Sequence, residues 1–303
     1  MTIKETWISF IHDLQNKLCS SIEEVDGKAL FKEDKWQRTE GGGGITRVIS
    51  NGKVFEKGGI NTSVVFGGVS DIMRQQLKMT GEKWFACGLS LVMHPCNPFV
   101  PTVHCNYRML EIYDDENSVT DRWFGGGTDL TPYYLFDDDA IHFHRTYQSI
   151  CDQFDPSFYP GFKLGCDEYF VNWHRNKERR GIGGIFYDYQ RPSVHQDVNF
   201  WMNFSQACGN GFTDAYLPIV LKRKDIVFND SNRYWQEIRR GRYIEFNLIH
   251  DRGTLFGLKT NGRTESILMS LPPTARFDYD YQPLTGSEES RLLDACLHPR
   301  QWV

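Results

Sequence analysis

The chain has no apolar run of transmembrane length, which excludes a helical membrane span. It also has no basic excess. Its 34 Lys and Arg against 39 Asp and Glu leave a net charge of −5, which argues against a nucleic-acid or membrane-surface partner. Eight cysteines (Cys19, Cys87, Cys96, Cys105, Cys151, Cys166, Cys208 and Cys296) contain no C-x-x-C pair, so neither a zinc knuckle nor a thioredoxin-type site is indicated. The opening residues carry no apolar signal core and no Arg-rich transit pattern, and the expectation is free thiols in a reducing cytoplasm. Two glycine runs, Gly41–Gly44 and Gly125–Gly127, lack both the Gly-Lys-Ser/Thr ending and the strand–G-x-G-x-x-G–helix context of nucleotide cradles. H-E-x-x-H is missing too. His142 and His144, two apart on a predicted helix, point in different directions.

What remains is an ordinary globular composition, 40% hydrophobic and 14% aromatic over 303 residues, enough for a substantial core. Residues 1–27 read as an amphipathic helix. Extended segments follow: Ile45–Ser50, the Asn51-Gly52 turn and Lys53–Lys57, then Ile60–Phe66, Trp84–Met93, Val100–Ile112 and Ile182–Tyr187. Three more strands are predicted at Tyr243–Ile249, Leu255–Thr260 and Glu265–Ser270, the last two joined by Asn261-Gly262 as a second hairpin. Helical spacing marks Asp137–Phe154, Ser157–Lys177, Val194–Cys208, Thr213–Lys222, Ser231–Arg240 and Ser287–Leu297. Strands and helices do not alternate as βαβ units. The prediction is one α+β domain over 1–303, with an N-terminal helix in 1–30 and helices covering an antiparallel sheet.

The richest stretch is Val103–Ile112, where a period of two puts His104, Asn106 and Arg108 on one strand face and Cys105, Tyr107 and Met109 on the other. A row of imidazole, amide and guanidinium suits a large, multiply anionic ligand. The second glycine run delivers Asp129 on what reads as a turn before Leu130-Thr131-Pro132. Arginines gather at Arg175, Arg179 and Arg180, and with Arg108 and Arg263 they suggest carboxylate recognition. In the segment 243–252, Glu245, Asn247 and Asp251 share one period-two register and need partners. The histidines allow either a metal site assembled from distant segments or acid–base work near neutral pH.

Several motifs then converge: His94-Pro95-x-Asn97-Pro98, His104-x-Asn106-Tyr107-Arg108, Trp123-Phe124-Gly125-Gly126-Gly127-x-Asp129-Leu130-Thr131-Pro132, His142-Phe143-His144-Arg145, Glu178–Gly184, Gly241-Arg242-Tyr243-x-Glu245-Phe246-Asn247-Leu248 and Asp251-Arg252-Gly253-Thr254. Together they resemble the oxygen-dependent coproporphyrinogen III oxidase family over nearly the whole chain. The resemblance implies a large flat antiparallel sheet flanked by helices on both faces, a homodimer, and O2-dependent oxidative decarboxylation of two propionates of coproporphyrinogen III to vinyls in haem biosynthesis. O2 would be co-substrate, with no organic cofactor. His104, Asp251 and Asp129 are the implied catalytic residues, and Ser90, Asn106, Tyr107, Arg108, Arg180, Asn261, Gly262 and Arg263 the substrate-binding ones. In bacterial-type members His94, His104, His144 and His174 correspond to proposed ligands of a divalent metal, while other members are thought to work without one.

Overall fold

The computed structural model describes residues 2–77, 80–259 and 262–303. Helix α1 (Ile3–Asp26) opens the chain, and Thr2 and Glu5 form a reciprocal capping box at its start. Its other end stops at Gly27, whose φ of 67° is left-handed. Trp7, Ile11, Leu14, Leu18 and Ile22 form the buried stripe that the 3.6-residue period predicts.

Seven antiparallel strands follow in one sheet, ordered β1 (Lys32–Gln37), β2 (Gly42–Ser50), β3 (Phe55–Gly68), β4 (Lys83–Pro95), β5 (Thr102–Tyr113), β6 (Val119–Thr131) and β9 (Gly183–Gln190). The short pair β7 (Val171–Asn172) and β8 (Glu178–Arg179) stands apart. The Asn51-Gly52 hairpin forms as predicted, with Asn51 at φ 56°. A short α2 (Asp71–Leu77) lies between β3 and β4.

One sheet face is the core face. Cys105, Tyr107 and Met109 on β5 are buried there with α1, α3 (Asp137–Asp152), α5 (Val198–Asn210) and α6 (Phe212–Arg223). Helix α4 (Phe158–Tyr169) packs beside β9, and α10 (Glu288–Leu297) beside β8. The other face is covered by α7 (Asp230–Glu245), a π-helical turn (Phe246–His250), α8 (Arg252–Lys259) and α9 (Thr264–Leu268). Met269, just past α9, packs on Val92 with Tyr243, and Ser266 bonds to Thr46 and Asn61. Helices therefore flank both faces, as expected.

Four expectations fail. Tyr243–Ile249 is the end of α7 and the π-helical turn, and no strand flanks Asn261-Gly262, since α8 and α9 stand on either side. Asn261 itself lies outside the described residues. The alternation there is real, but Tyr243, Glu245, Phe246 and Asn247 are buried while Leu248 and Ile249 are exposed, so burial does not follow a period of two. The glycine run before Asp129 is no turn either; it is the middle of β6, which sequence patterning missed, as it missed β1. Predicted helix Ser157–Lys177 ends at Tyr169, and β7 follows.

Candidate active site

Register builds the site. His104 on β5 pairs with Val92 on β4 and Asp129 on β6; one step along, Asn106 pairs with Ser90 and Gly127; the next pairing is Arg108 with Gly88 and Gly125. All these residues share the face under α7–α9. The Asn106 row continues through Asn61, Thr46 and Asp34 on β3, β2 and β1. At about 4.8 Å per strand, β1 to β5 spans roughly 19 Å, a floor for a large macrocycle.

At its centre Arg180 donates through one guanidinium nitrogen to both oxygens of Asp129, at 2.8 and 2.9 Å. The guanidinium lies 4.1 Å from the Phe170 ring centre, 5.0 Å from Phe246 and 5.4 Å from Tyr243. Burial works to raise the Asp129 carboxyl, but Arg180 and then His104 outweigh it and hold it below its ordinary value. His104 Nδ1 is 3.6 Å from Asp129 Oδ2 and has no hydrogen-bond partner. On its other side Nε2 is 2.8 Å from the Tyr243 hydroxyl, whose ring stacks on the imidazole at 5.0 Å. Tyr243 also donates to the Ser270 carbonyl at 3.1 Å. Burial, then the Arg180 charge, push His104 below its ordinary value despite Asp129, leaving a neutral imidazole at neutral pH.

Asp251 stands at the start of α8. It caps α8, accepting from Thr254 N–H at 2.8 Å through Oδ2, and its Oδ1 accepts from the Tyr169 hydroxyl at 2.9 Å. Its charge reaches His104, Arg180 and Tyr243.

Arg108 donates to Asn106 at 2.7 Å and pairs with Asp188 at 2.8 Å; Arg252 reaches the same Asp188 at 3.6 Å. Arg263 pairs with Asp34 at the far edge and donates to Ser266 at 3.0 Å. Each of these arginines thus rests on an internal carboxylate. Gly262 lies beside Arg263, its N–H on the Gly257 carbonyl.

Ser90, His104, Asn106, Arg108, Asp129, Arg180 and Asp251 are therefore brought together. Tyr107 is not. It points to the core face, fully buried, with its hydroxyl on Thr128, as the strand period requires.

The four proposed metal ligands do not converge. His94 is buried between the Ser270 carbonyl and Thr102; His144 sits in the helical layer between Tyr159 and the Ile182 carbonyl; His174 bonds His250 and Glu245. Among the described residues no three His, Cys, Asp or Glu side chains gather to hold a metal ion. These residues do not fit a divalent metal as arranged, and we derive no step through one.

Sequence reasoning gave no role to Asp188, Tyr169 or Tyr243. Tyr243 lay inside a quoted motif, but its placement on a strand hid the helical face that carries it. Asp188 and Tyr169 have no local signal at all.

A sheet whose polar face holds a buried Asp–Arg pair, a neutral histidine, a second carboxylate and peripheral arginines has the groups that acid–base chemistry on a multiply anionic molecule needs. The sequence profile of the coproporphyrinogen III oxidase family matches residues 6–302. Over 312 aligned residues the chain is 49% identical to the oxygen-dependent coproporphyrinogen-III oxidase, chloroplastic, of Glycine max, covering all of this chain and 80% of that protein. It is 47% identical to coproporphyrinogen-III oxidase 1, chloroplastic, of Arabidopsis thaliana, with the same coverage. For the Nicotiana tabacum oxygen-dependent enzyme, the identity is 49% over 96% of the chain and 75% of the relative. The chain belongs to the coproporphyrinogen III oxidase family.

Proposed function

We propose that the polar face of β3–β6 is where this chain carries out its family's reaction, the oxygen-dependent oxidative decarboxylation of two propionates of coproporphyrinogen III to vinyl groups, giving protoporphyrinogen IX. Each cycle balances as one propionate, O2 and a proton yielding a vinyl group, CO2 and H2O2. A porphyrinogen presents four pyrrole N–H donors at its centre and carboxylates at its rim. Central carboxylates and rim arginines are the complementary arrangement.

The observation that carries the residue assignment is the different company of the two aspartates. Asp129 is committed to Arg180, whereas both hydrogen bonds to Asp251 come from neutral donors, and among the described residues it has no ion-pair partner. We assign Asp251 as the base that accepts a pyrrole N–H proton, making the ring electron-rich toward O2. Loss of a propionate β-hydrogen and CO2 follows. His104, neutral and facing Asp129, relays a proton, while Arg108 holds the reacting propionate and Arg180 keeps Asp129 charged under the ring. Ser90, Asn106, Gly262 and Arg263 complete the binding wall, and Asn261, outside the described residues, is assigned to substrate binding with them.

The test is turnover of freshly reduced coproporphyrinogen III in air against an anaerobic control. Asp251→Asn should lower kcat by roughly 10²–10⁴-fold, the usual worth of a positioned base. Full turnover by a folded Asp251→Asn protein overturns the assignment. We further read the chain as a cytoplasmic homodimer. Eight unpaired thiols support a reducing compartment, and among the described residues no helix is long and apolar enough to cross a membrane. Fractionation and light scattering check these two points.

A further inference from the structure

Among the described residues one side chain bonds Asp251, and it comes from a different helix. Tyr169 is the last residue of α4, and its hydroxyl donates to Asp251 Oδ1 at 2.9 Å. The phenol oxygen itself accepts from the Arg252 backbone N–H at 3.2 Å, so Tyr169 binds two successive residues at the start of α8. The ring is equally fixed: it lies 4.4 Å from Phe186 at an interplanar angle of 11°, and the Arg252 guanidinium sits 4.6 Å from its centre. Phe186 in turn pairs with Gly127, the neighbour of Asn106 in the substrate row.

We propose that Tyr169 is the positioning residue for Asp251, aiming its carboxylate at the macrocycle through the Oδ1 hydrogen bond and locking the start of α8 against the sheet. This deepens the assignment of Asp251 as base and rests on it. Two facts favour positioning over mere packing. Asp251 Oδ2 is already fixed by Thr254 N–H, so the Tyr169 bond removes the one rotation that remains to the carboxyl group. The phenol also stays a donor at any working pH, since burial and then the nearby Asp251 charge push it up to about 12.

The test deletes one atom. Tyr169→Phe retains the Phe186 stack and the Arg252 contact and removes only the hydroxyl. The expected result is a fall in kcat of about 5- to 50-fold with KM nearly unchanged, because a misaimed base costs rate more than binding. The second arm is a double-mutant cycle: in the Asp251→Asn background, Tyr169→Phe should have no further effect on kcat, since the base that it aims is gone even though the amide oxygen can still accept the bond. Unchanged kcat in Tyr169→Phe, a loss confined to KM, or full additivity with Asp251→Asn would each overturn the proposal. Failure of the base assignment itself reads out separately, as an active Asp251→Asn single variant.

Discussion

Arg180 and Asp129 form a fully enclosed ion pair, with 3% and 5% of their side-chain surfaces exposed, directly beneath the catalytic candidates. Removing one partner of such a pair strands a charge away from water. Arg180→Met should therefore destabilise the protein by about 3–5 kcal/mol, and adding Asp129→Asn should restore much of that loss. Urea midpoints at constant m-value report it. A single variant as stable as the parent would show that Asp129 finds another partner.

Acid stability should decline in two stages. His94, His104 and His144 are held below the ordinary imidazole value chiefly by burial, His144 down to about 3. Below about pH 6.5 the unfolded chain takes up protons that the folded chain refuses, so stability is full above that pH and falls as pH drops. The carboxylates act later. Glu245, paired with Arg175 and His174, is pulled down to about 2 despite its burial, and its contribution, present above the ordinary carboxyl value, disappears as pH falls toward about 2. Urea titrations from pH 7.5 to 4 should show the first stage, with a shallower slope in His144→Phe. A flat profile between pH 6.5 and 5 would contradict buried neutral imidazoles.

Gly125 tests the rim clamp. A Cβ there would lie 2.7 Å from Asp188 Oδ1 and 3.0 Å from the Arg108 guanidinium, both movable ends of side chains. Gly125→Ala should fold normally and raise KM by roughly tenfold with little change in kcat, since Arg108 is displaced as a carboxylate anchor. Gly127→Ala provides the contrast. Its Cβ would meet the Ile185 backbone carbonyl at 2.5 Å, and the expected loss is in stability.

Chelation tests the histidines. His94, His144 and His174 have their ring nitrogens engaged in separate places, and His104 is bonded through Nε2 to Tyr243, so exhaustive EDTA treatment should leave oxygen-dependent turnover unchanged. Loss of product restored by a divalent ion would mean that the four rings regroup in the working enzyme.

Much of this site was legible in the chain because its wall is local. Alternation along β5 alone places His104, Asn106 and Arg108 on one face and Tyr107 on the other, against the role that family resemblance implied for Tyr107. The Asn51-Gly52 hairpin and the stripe of α1 are equally short-range. Residues 243–249 misled, because apolar and polar residues alternate there while the backbone is helical. Only burial against Val92 and Met269, far apart in sequence, shows which residues face inward. Strand β6 was hidden for the opposite reason: Gly125 and Gly127 look like a turn, and their place in a sheet centre makes sense only once Arg108, Asp188 and the neighbouring strand are seen to need the space.

The sequence by itself determined the ligand's chemistry: arginines, a histidine and two aspartates on an antiparallel scaffold, with no membrane helix and no nucleotide loop. Tertiary structure decided the division of labour. It set Arg180 against Asp129 and Tyr169 against Asp251, 51 and 82 residues apart, and so made one carboxylate a fixed charge and the other the stronger candidate base. Such pairings depend on strand register and helix docking, and neither leaves a mark in the residues flanking either partner.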